Sequence, residues 1–266
     1  MREVRALLLA AGLGTRLRPL TFSCPKCLVP IGRKPLLEHW LCSLYQCGIP
    51  EVLVNIHHHR EMVETFLSRQ LFSGWVHGVV EERLLGTAAT LRHNYQFFDG
   101  CTVFLAHADN WSRANLAEFI EFHQHRRAFG TVMTMMTFQT DTPKSCGIVE
   151  IDANGVVEGF FEKVTDPPGD LANGAVYLLE PEVLRWVCQH PNVTDFSTEV
   201  IPEFLGRIAA WENTHIHRDI GAIEALLVAQ KDPHPKPCWV SSDTWMRDYL
   251  KHPVHEYLSD AEEGIQ

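Results

Sequence analysis

Short apolar runs alternate with amphipathic stretches along most of this chain. Arg5 to Ala10 reads as a buried strand, and Pro35 to Cys47 as a helix with proline in its first turn, where a missing N–H costs nothing. The pattern continues with a strand at Glu51 to Ile56, a helix at Arg60 to Gln70 and a strand at Trp75 to Val80. A helix at Gly86 to Phe97, a strand at Cys101 to Ala106 and a helix at Arg113 to Arg127 follow. The methionine-rich run at Thr131 to Phe138 reads as a packed strand rather than a cofactor box. Repeated β–α alternation with short connections predicts an α/β fold of three layers, α/β/α, around a mostly parallel mixed sheet.

After residue 140 the pattern changes. Residues 146–163 (CGIVEIDANGVVEGFFEK) predict a β-hairpin, because Asn154-Gly155 sits between two alternating segments. A strand at Gly174 to Leu179, helices near Pro181 to His190 and Thr198 to Leu205, and a helix starting just after Asp219 come next. From Asp232 the sheet signal is lost, and residues 232–253 carry four prolines and two tryptophans. Residues 1–231 are therefore read as one domain and residues 232–266 as a docking or oligomerisation segment, which leaves a homo-oligomer open. No internal repeat is visible.

Composition narrows the function classes. The chain has 266 residues, 45% hydrophobic and 21% charged, enough for a sizeable core. A formal net charge of −10 argues against a general nucleic-acid surface, but an anionic small molecule fits if cations are concentrated locally. The apolar run near the N-terminus is too short to span a membrane and is interrupted by Gly12, Gly14 and Arg16. No membrane association and a cytoplasmic location are expected. Eight cysteines in this length are not a disulfide framework. Cys24 and Cys27 form a C-x-x-C pair, but Pro25 and Pro30 mark an extended loop rather than the helix start a redox dithiol needs. A structural zinc site needs a second close pair; Cys42 and Cys47 share a helix, and Cys146, Cys188 and Cys238 stand alone. The pair is read as incidental to the lysine it encloses, Lys26.

The most informative stretch is LLLAAGLGTRLRPLT, residues 7–21. A buried strand enters a turn containing Gly12 and Gly14, followed at once by Arg16 and Arg18. Glycines let successive backbone N–H groups approach an anion, so the turn is suited to phosphate. It is not G-x-G-x-x-G, since Leu17 occupies the third glycine's place, nor a P-loop. Thr15 to Thr21, then Pro25-Lys26, then VPIGRKPLLEHWL at 29–41 together resemble the signature of the sugar-1-phosphate nucleotidylyltransferases, and most nearly their mannose-1-phosphate guanylyltransferase-like members. LLGTAATL at 84–91, FLAHADN at 104–110, FFEKV at 160–164, LANGAVYLL at 171–179 and RDIGAIEAL at 218–226 extend the likeness.

That resemblance implies a Rossmann-like nucleotidyltransferase fold of the GT-A type. No hexapeptide repeats follow, so no C-terminal β-helix is expected. It also implies a set of roles. Ala10, Ala11, Gly12, Gly14 and Thr15 would receive the triphosphate together with Arg16, and Lys26 would reduce repulsion between the two phosphates. Gly86 and Thr87 would lie beside base and ribose. Asp109 and Asp219 would hold Mg²⁺, and Asn110 and Gly147 would join the substrate site. Glu162 and Asn173 would contact the sugar and Lys163 its phosphate. His107-Ala108, Ala222-Ile223, Cys146 and Gly174-Ala175 depart from the usual pattern in ways that bear on the sugar more than on the chemistry.

The implied reaction joins an NTP to a sugar 1-phosphate and releases pyrophosphate. The resemblance places a base-contacting residue at Glu81, five residues before Gly86, and implies GTP with mannose 1-phosphate or a related heptose 1-phosphate. A carboxylate only accepts hydrogen bonds, and guanine offers adjacent N1–H and N2–H₂ donors. Solvent exposure of Glu81 at the end of its strand is the plainer reading. UTP or dTTP with glucose 1-phosphate is the alternative pair of substrates. A non-catalytic nucleotide-sugar sensor would not need Arg16, Lys26, Asp109, Lys163 and Asp219 together. A Rossmann dehydrogenase would need an acidic residue where the second strand ends at Asn55. His57-His58-His59 is expected in an exposed loop without metal, since consecutive side chains diverge, and His123 and His125 on a solvated helix face.

Overall fold

The computed structural model describes residues 2–240 and 242–263. Its strands are β1 (Val4–Leu9), β2 (Pro30–Ile31), β3 (Lys34–Pro35), β4 (Val52–Ile56), β5 (Val76–Val80), β6 (Thr102–His107) and β7 (Asn110–Ser112). They continue with β8 (Met133–Gln139), β9 (Gly147–Ile151), β10 (Val157–Glu162), β11 (Leu171–Leu179), β12 (Ile208–Glu212) and β13 (His217–Asp219). The fold is the expected α/β class with a mixed central sheet. The chain forms two compact units. One holds the residues up to Leu7 with 85–106 and 114–217; the other holds 8–84, 107–113 and the residues from Arg218 onward.

In the first unit the strand order is β10-β9-β11-β6-β1, and β8 pairs with both β11 and β12. β11 runs antiparallel to β6, β8 and β9, whereas β12 runs parallel to β8. Met133, Met135 and Met136 are fully buried, as a packed strand requires. The hairpin β9–β10 turns where expected. Asp152 Oδ1 accepts the N–H groups of Asn154 and Val156, and Gly155 takes a φ of 75°, which costs glycine little. The helix expected over 113–127 is shorter. Asn115 caps Leu116–Glu121 through the Glu118 N–H, and a wider turn over Phe122–Arg126 closes it. His123 is buried there, not solvated: Nδ1 lies 2.7 Å from the Thr134 hydroxyl and Nε2 3.2 Å from Glu180. No regular helix spans 198–205 either. A wide turn at Phe196–Val200 passes into a tight one at Ile201–Phe204, where Pro202 lacks the N–H to continue a ladder.

In the second unit Leu8 and Leu9 end β1 beside β4, and β4 pairs in parallel with β5 from Val52–Val76 to Ile56–Val80. All five β4 residues are buried, the continuous pattern of an interior parallel strand. Helices Leu36–Gln46 and Arg60–Leu67 fall where the periodicity places them. The C-terminal residues form helices Thr244–Tyr249 and Val254–Glu263. Asp243 caps the first through the Met246 N–H and pairs with Arg69, which also binds Glu38. Cys42 and Cys238 are joined by a disulfide, so Cys238, which stands alone along the sequence, finds its partner 196 residues away. Among the described residues no helix is long and apolar enough to cross a membrane.

Candidate active site

The glycine turn is built by its neighbours. Leu17, where the dinucleotide fingerprint would have glycine, is 2% exposed and anchors the turn in the core. Gly14 has a φ of 61°, and a Cβ there would approach Thr21 Cγ2 to 2.9 Å and Lys26 Cβ to 3.1 Å. The Thr21 hydroxyl donates to the Gly14 carbonyl, and His58 and His59 both place Nε2 within hydrogen-bond reach of the Thr21 carbonyl. The three histidines are half-buried struts rather than an exposed loop, with His57 Nδ1 2.8 Å from the Glu81 carbonyl.

Upstream, Ala10 and Ala11 are buried, and both give their N–H groups to Asn55 Oδ1, at 2.6 and 3.3 Å. Asn55 Nδ2 donates to Glu81 Oε1 at 3.0 Å, so Glu81 is not the solvent-facing strand end; it is 5% exposed. That bond fixes which way the Asn55 amide points, and with it the start of the turn. Gly12, Leu13, Gly14, Thr15 and Arg16 line a cavity of about 330 Å³ with Lys26, Asp109 and Gly221.

Lys26 is buried in a tight turn, Lys26–Leu28, rather than in extended chain. Its Nζ donates to Asp109 Oδ2 at 2.6 Å and to Asp219 Oδ1 at 3.2 Å, while Arg16 Nη2 lies 3.2 Å from Asp219 Oδ2. Burial would raise the Asp109 carboxyl. The Lys26 ammonium beside it, with His107, outweighs that and holds Asp109 below the usual carboxylate range. β6 and β7 deliver Asp109, and the Asn110 carbonyl receives the Trp40 indole N–H. Flanking Lys26, Cys24 and Cys27 are fully buried. Burial, with Cys27 nearby, pushes the Cys24 thiol up, and burial pushes Cys27 up to about 12. Such thiols stay protonated, whereas zinc ligands and redox nucleophiles are thiolates.

Gly221 escaped the sequence reading although it stands in the RDIGAIEAL segment. A Cβ there would fall 2.6 Å from Asp219 Oδ2 and 2.8 Å from Arg16 Nη1. Gly221→Ala is expected to push this pair apart and lower turnover about 10- to 100-fold, as small displacements of reacting groups do. Steady-state kinetics beside an unchanged circular-dichroism spectrum checks it; wild-type turnover would show that the pair does not matter.

The remaining candidates belong to the first unit. Gly86, at a φ of 96°, would put a Cβ 2.6 Å from the Thr194 carbonyl oxygen, and the Thr87 hydroxyl accepts the Phe196 N–H. A Cβ at Gly147 would fall 2.6 Å from Glu162 Oε2. Glu162 pairs with Lys163 at 2.9 Å, and Lys163 is held at a φ of 50°. Asn173 donates to the Tyr177 hydroxyl at 2.7 Å and accepts the Ala175 N–H, in the irregular stretch of β11.

The family model for nucleotidyl transferases matches residues 5–235. The chain belongs to the nucleotidyl transferase family. It is 30% identical over 235 residues to a mannose-1-phosphate guanylyltransferase of Mycobacterium tuberculosis, covering 86% of this chain and 64% of that one. It is 31% identical over 199 residues to a UTP–glucose-1-phosphate uridylyltransferase of Synechocystis, covering 69% and 51%. The chain thus spans between half and two thirds of the length of these two relatives. Its fold matches the crystal structure of HddC from Yersinia pseudotuberculosis complexed with GMP-PN, with a TM-score of 0.71 at 21% identity, over 87% of this chain and 99% of that one.

Proposed function

We propose that this chain transfers a nucleotidyl group from an NTP to a sugar 1-phosphate and releases pyrophosphate. The observation that carries the reading is the Lys26 ammonium bonded to both Asp109 and Asp219 at the wall of the glycine-turn cavity. A sugar phosphate oxygen is already anionic, so attack on the α-phosphorus needs no general base. What it needs is alignment and neutralised charge. The backbone of residues 12–15 and Arg16 receive the triphosphate, and Lys26 offsets repulsion between the two phosphates. In the first unit Glu162 and Asn173 take the sugar hydroxyls, Lys163 takes the sugar phosphate, and Gly86 and Thr87 lie beside the base and ribose.

Two carboxylates suit Mg²⁺, a hard cation that usually takes one or two protein carboxylates and completes its shell with water and substrate phosphates. In support of this reading, both carboxylates already pair with a cation, the Lys26 ammonium. Among the described residues no cluster of three or more His, Cys, Asp or Glu that could hold a metal ion is present. Mg²⁺ would supply charge neutralisation on the triphosphate. Turnover should therefore disappear in EDTA, and Asp109→Asn or Asp219→Asn should raise the Mg²⁺ concentration required.

GTP with mannose 1-phosphate or a related heptose 1-phosphate is the substrate pair this reading favours. Glu81 is buried, and a carboxylate has about four lone-pair positions, so its bond to Asn55 is compatible with accepting guanine donors. The named relatives divide between guanylyl and uridylyl transfer. Pyrophosphate release across ATP, CTP, GTP, UTP and dTTP against mannose, heptose and glucose 1-phosphates decides between them. GTP with mannose or heptose 1-phosphate should be fastest; preference for UTP or dTTP with glucose 1-phosphate would refute the guanine assignment.

A further inference from the structure

The matched family region ends at residue 235, yet the residues beyond it touch the turn that carries Lys26. Tyr249 is 4% exposed, and its hydroxyl donates to the carbonyl of Leu28, the last residue of the Lys26–Leu28 turn. The phenol is fixed on two sides: Trp245 stacks on it at 4.9 Å and 16°, and the His255 ring meets its edge at 4.9 Å. Trp245 in turn lies under the Arg69 guanidinium at 5.2 Å, and Arg69 binds Asp243, the cap of the helix that ends at Tyr249. A second hold lies just downstream of the turn. Gln230 donates to the Pro30 carbonyl at 2.6 Å and accepts the Gly32 N–H at 3.0 Å.

We propose that residues 242–263 act as a positioning clamp on Lys26, with the Tyr249 hydroxyl as the contact that sets the lysine's turn against Asp109 and Asp219. This rests on the nucleotidyl-transfer reading. Lys26 is reached through the backbone, so Tyr249 touches no substrate. Without its donor the Leu28 carbonyl is left unpaired in a buried place, and the turn shifts to find another partner.

Tyr249→Phe removes the hydroxyl and keeps the ring. The expected result is a fall in kcat of about tenfold, with KM for both substrates unchanged within about twofold, as loss of alignment rather than of binding predicts. In a Lys26→Ala background the same substitution should have no further effect. An equal loss in both backgrounds, or a wild-type kcat in Tyr249→Phe, overturns the clamp. A second readout does not depend on activity. Acetylation of Lys26 by acetic anhydride, followed by mass spectrometry, should run about fivefold faster in Tyr249→Phe with Lys34 unchanged, and equal Lys26 labelling overturns the proposal. If the wild type releases no pyrophosphate, the nucleotidyl-transfer reading fails and the labelling alone decides the clamp.

Discussion

Lys26→Ala is expected to lower kcat about 10²- to 10³-fold, the usual cost of removing one preorganised charge contact from a reacting centre. Lys26 carries more than an exposed lysine would. Its side chain is 7% exposed, and its ammonium reaches both carboxylates, while Arg16, whose side chain is 71% exposed, reaches only Asp219. Removing the ammonium takes away the cation that Asp109 and Asp219 share and, in the proposed reaction, the charge that offsets repulsion between the two phosphates. Lys26→Arg should recover little, because a planar guanidinium does not fit where a compact ammonium sits between two acceptors. Arg16→Ala should lower turnover as well, by a smaller factor. Steady-state kinetics at saturating Mg²⁺ checks the series, with thermal melting to confirm that the variants are folded. Turnover near wild type in Lys26→Ala would remove the lysine from the reaction.

The largest effect on stability is expected at Arg69. It is among the most deeply buried cations of the chain, with its side chain 2% exposed, paired at 2.6 Å with Glu38, whose side chain is 1% exposed. It also lies within 5.3 Å of the ring centres of Phe66, Phe72 and Trp245. Arg69→Ala takes from the buried Glu38 carboxylate its 2.6 Å ion-pair partner, while the Trp239 indole N–H and Lys34, 3.8 Å away, still face it. Breaking a buried pair from one side costs about 3 to 5 kcal/mol, and that loss should appear in urea unfolding. The double variant Arg69→Met/Glu38→Leu should recover much of it, because no unpaired charge then remains inside. A loss below about 1 kcal/mol in the single variant would mean that solvent reaches Glu38.

The parts of the site that could be read from the chain share one property: their chemistry is local. The glycine turn, Arg16 and Lys26 lie within fifteen residues, and Asp109 and Asp219 sit in short recognisable segments. The structure brings these five features around one cavity and its ion pairs. What escaped depends on partners far away along the chain. Asn55 reads as one more residue of an interior strand, and nothing in EVLVNI says that its amide holds Ala10 and Ala11, 45 and 44 residues back. Gly221 shows its purpose only once Arg16, over two hundred residues earlier, lies beside Asp219. His123 looked solvated because its helical neighbours are polar, while its real partners, Thr134 and Glu180, come from other elements. The C-terminal segment has no sheet period and four prolines, yet its tryptophans, Asp243 and Tyr249 find Arg69, Glu38 and Leu28 across separations of 174 to 221 residues. Prolines and lost periodicity report the absence of regular strands, not the absence of packing.

The most direct measurement of the central claim follows oxygen through the reaction. Mannose 1-phosphate carrying ¹⁸O in its phosphoryl oxygens is incubated with the wild-type chain, GTP and Mg²⁺, and the products are weighed by mass spectrometry. Attack by the sugar phosphate on the α-phosphorus predicts that all of the label appears in GDP-mannose and that the pyrophosphate is unlabelled. Label in pyrophosphate or inorganic phosphate, or the absence of any nucleotide sugar with every NTP and sugar 1-phosphate of the substrate matrix, would contradict it.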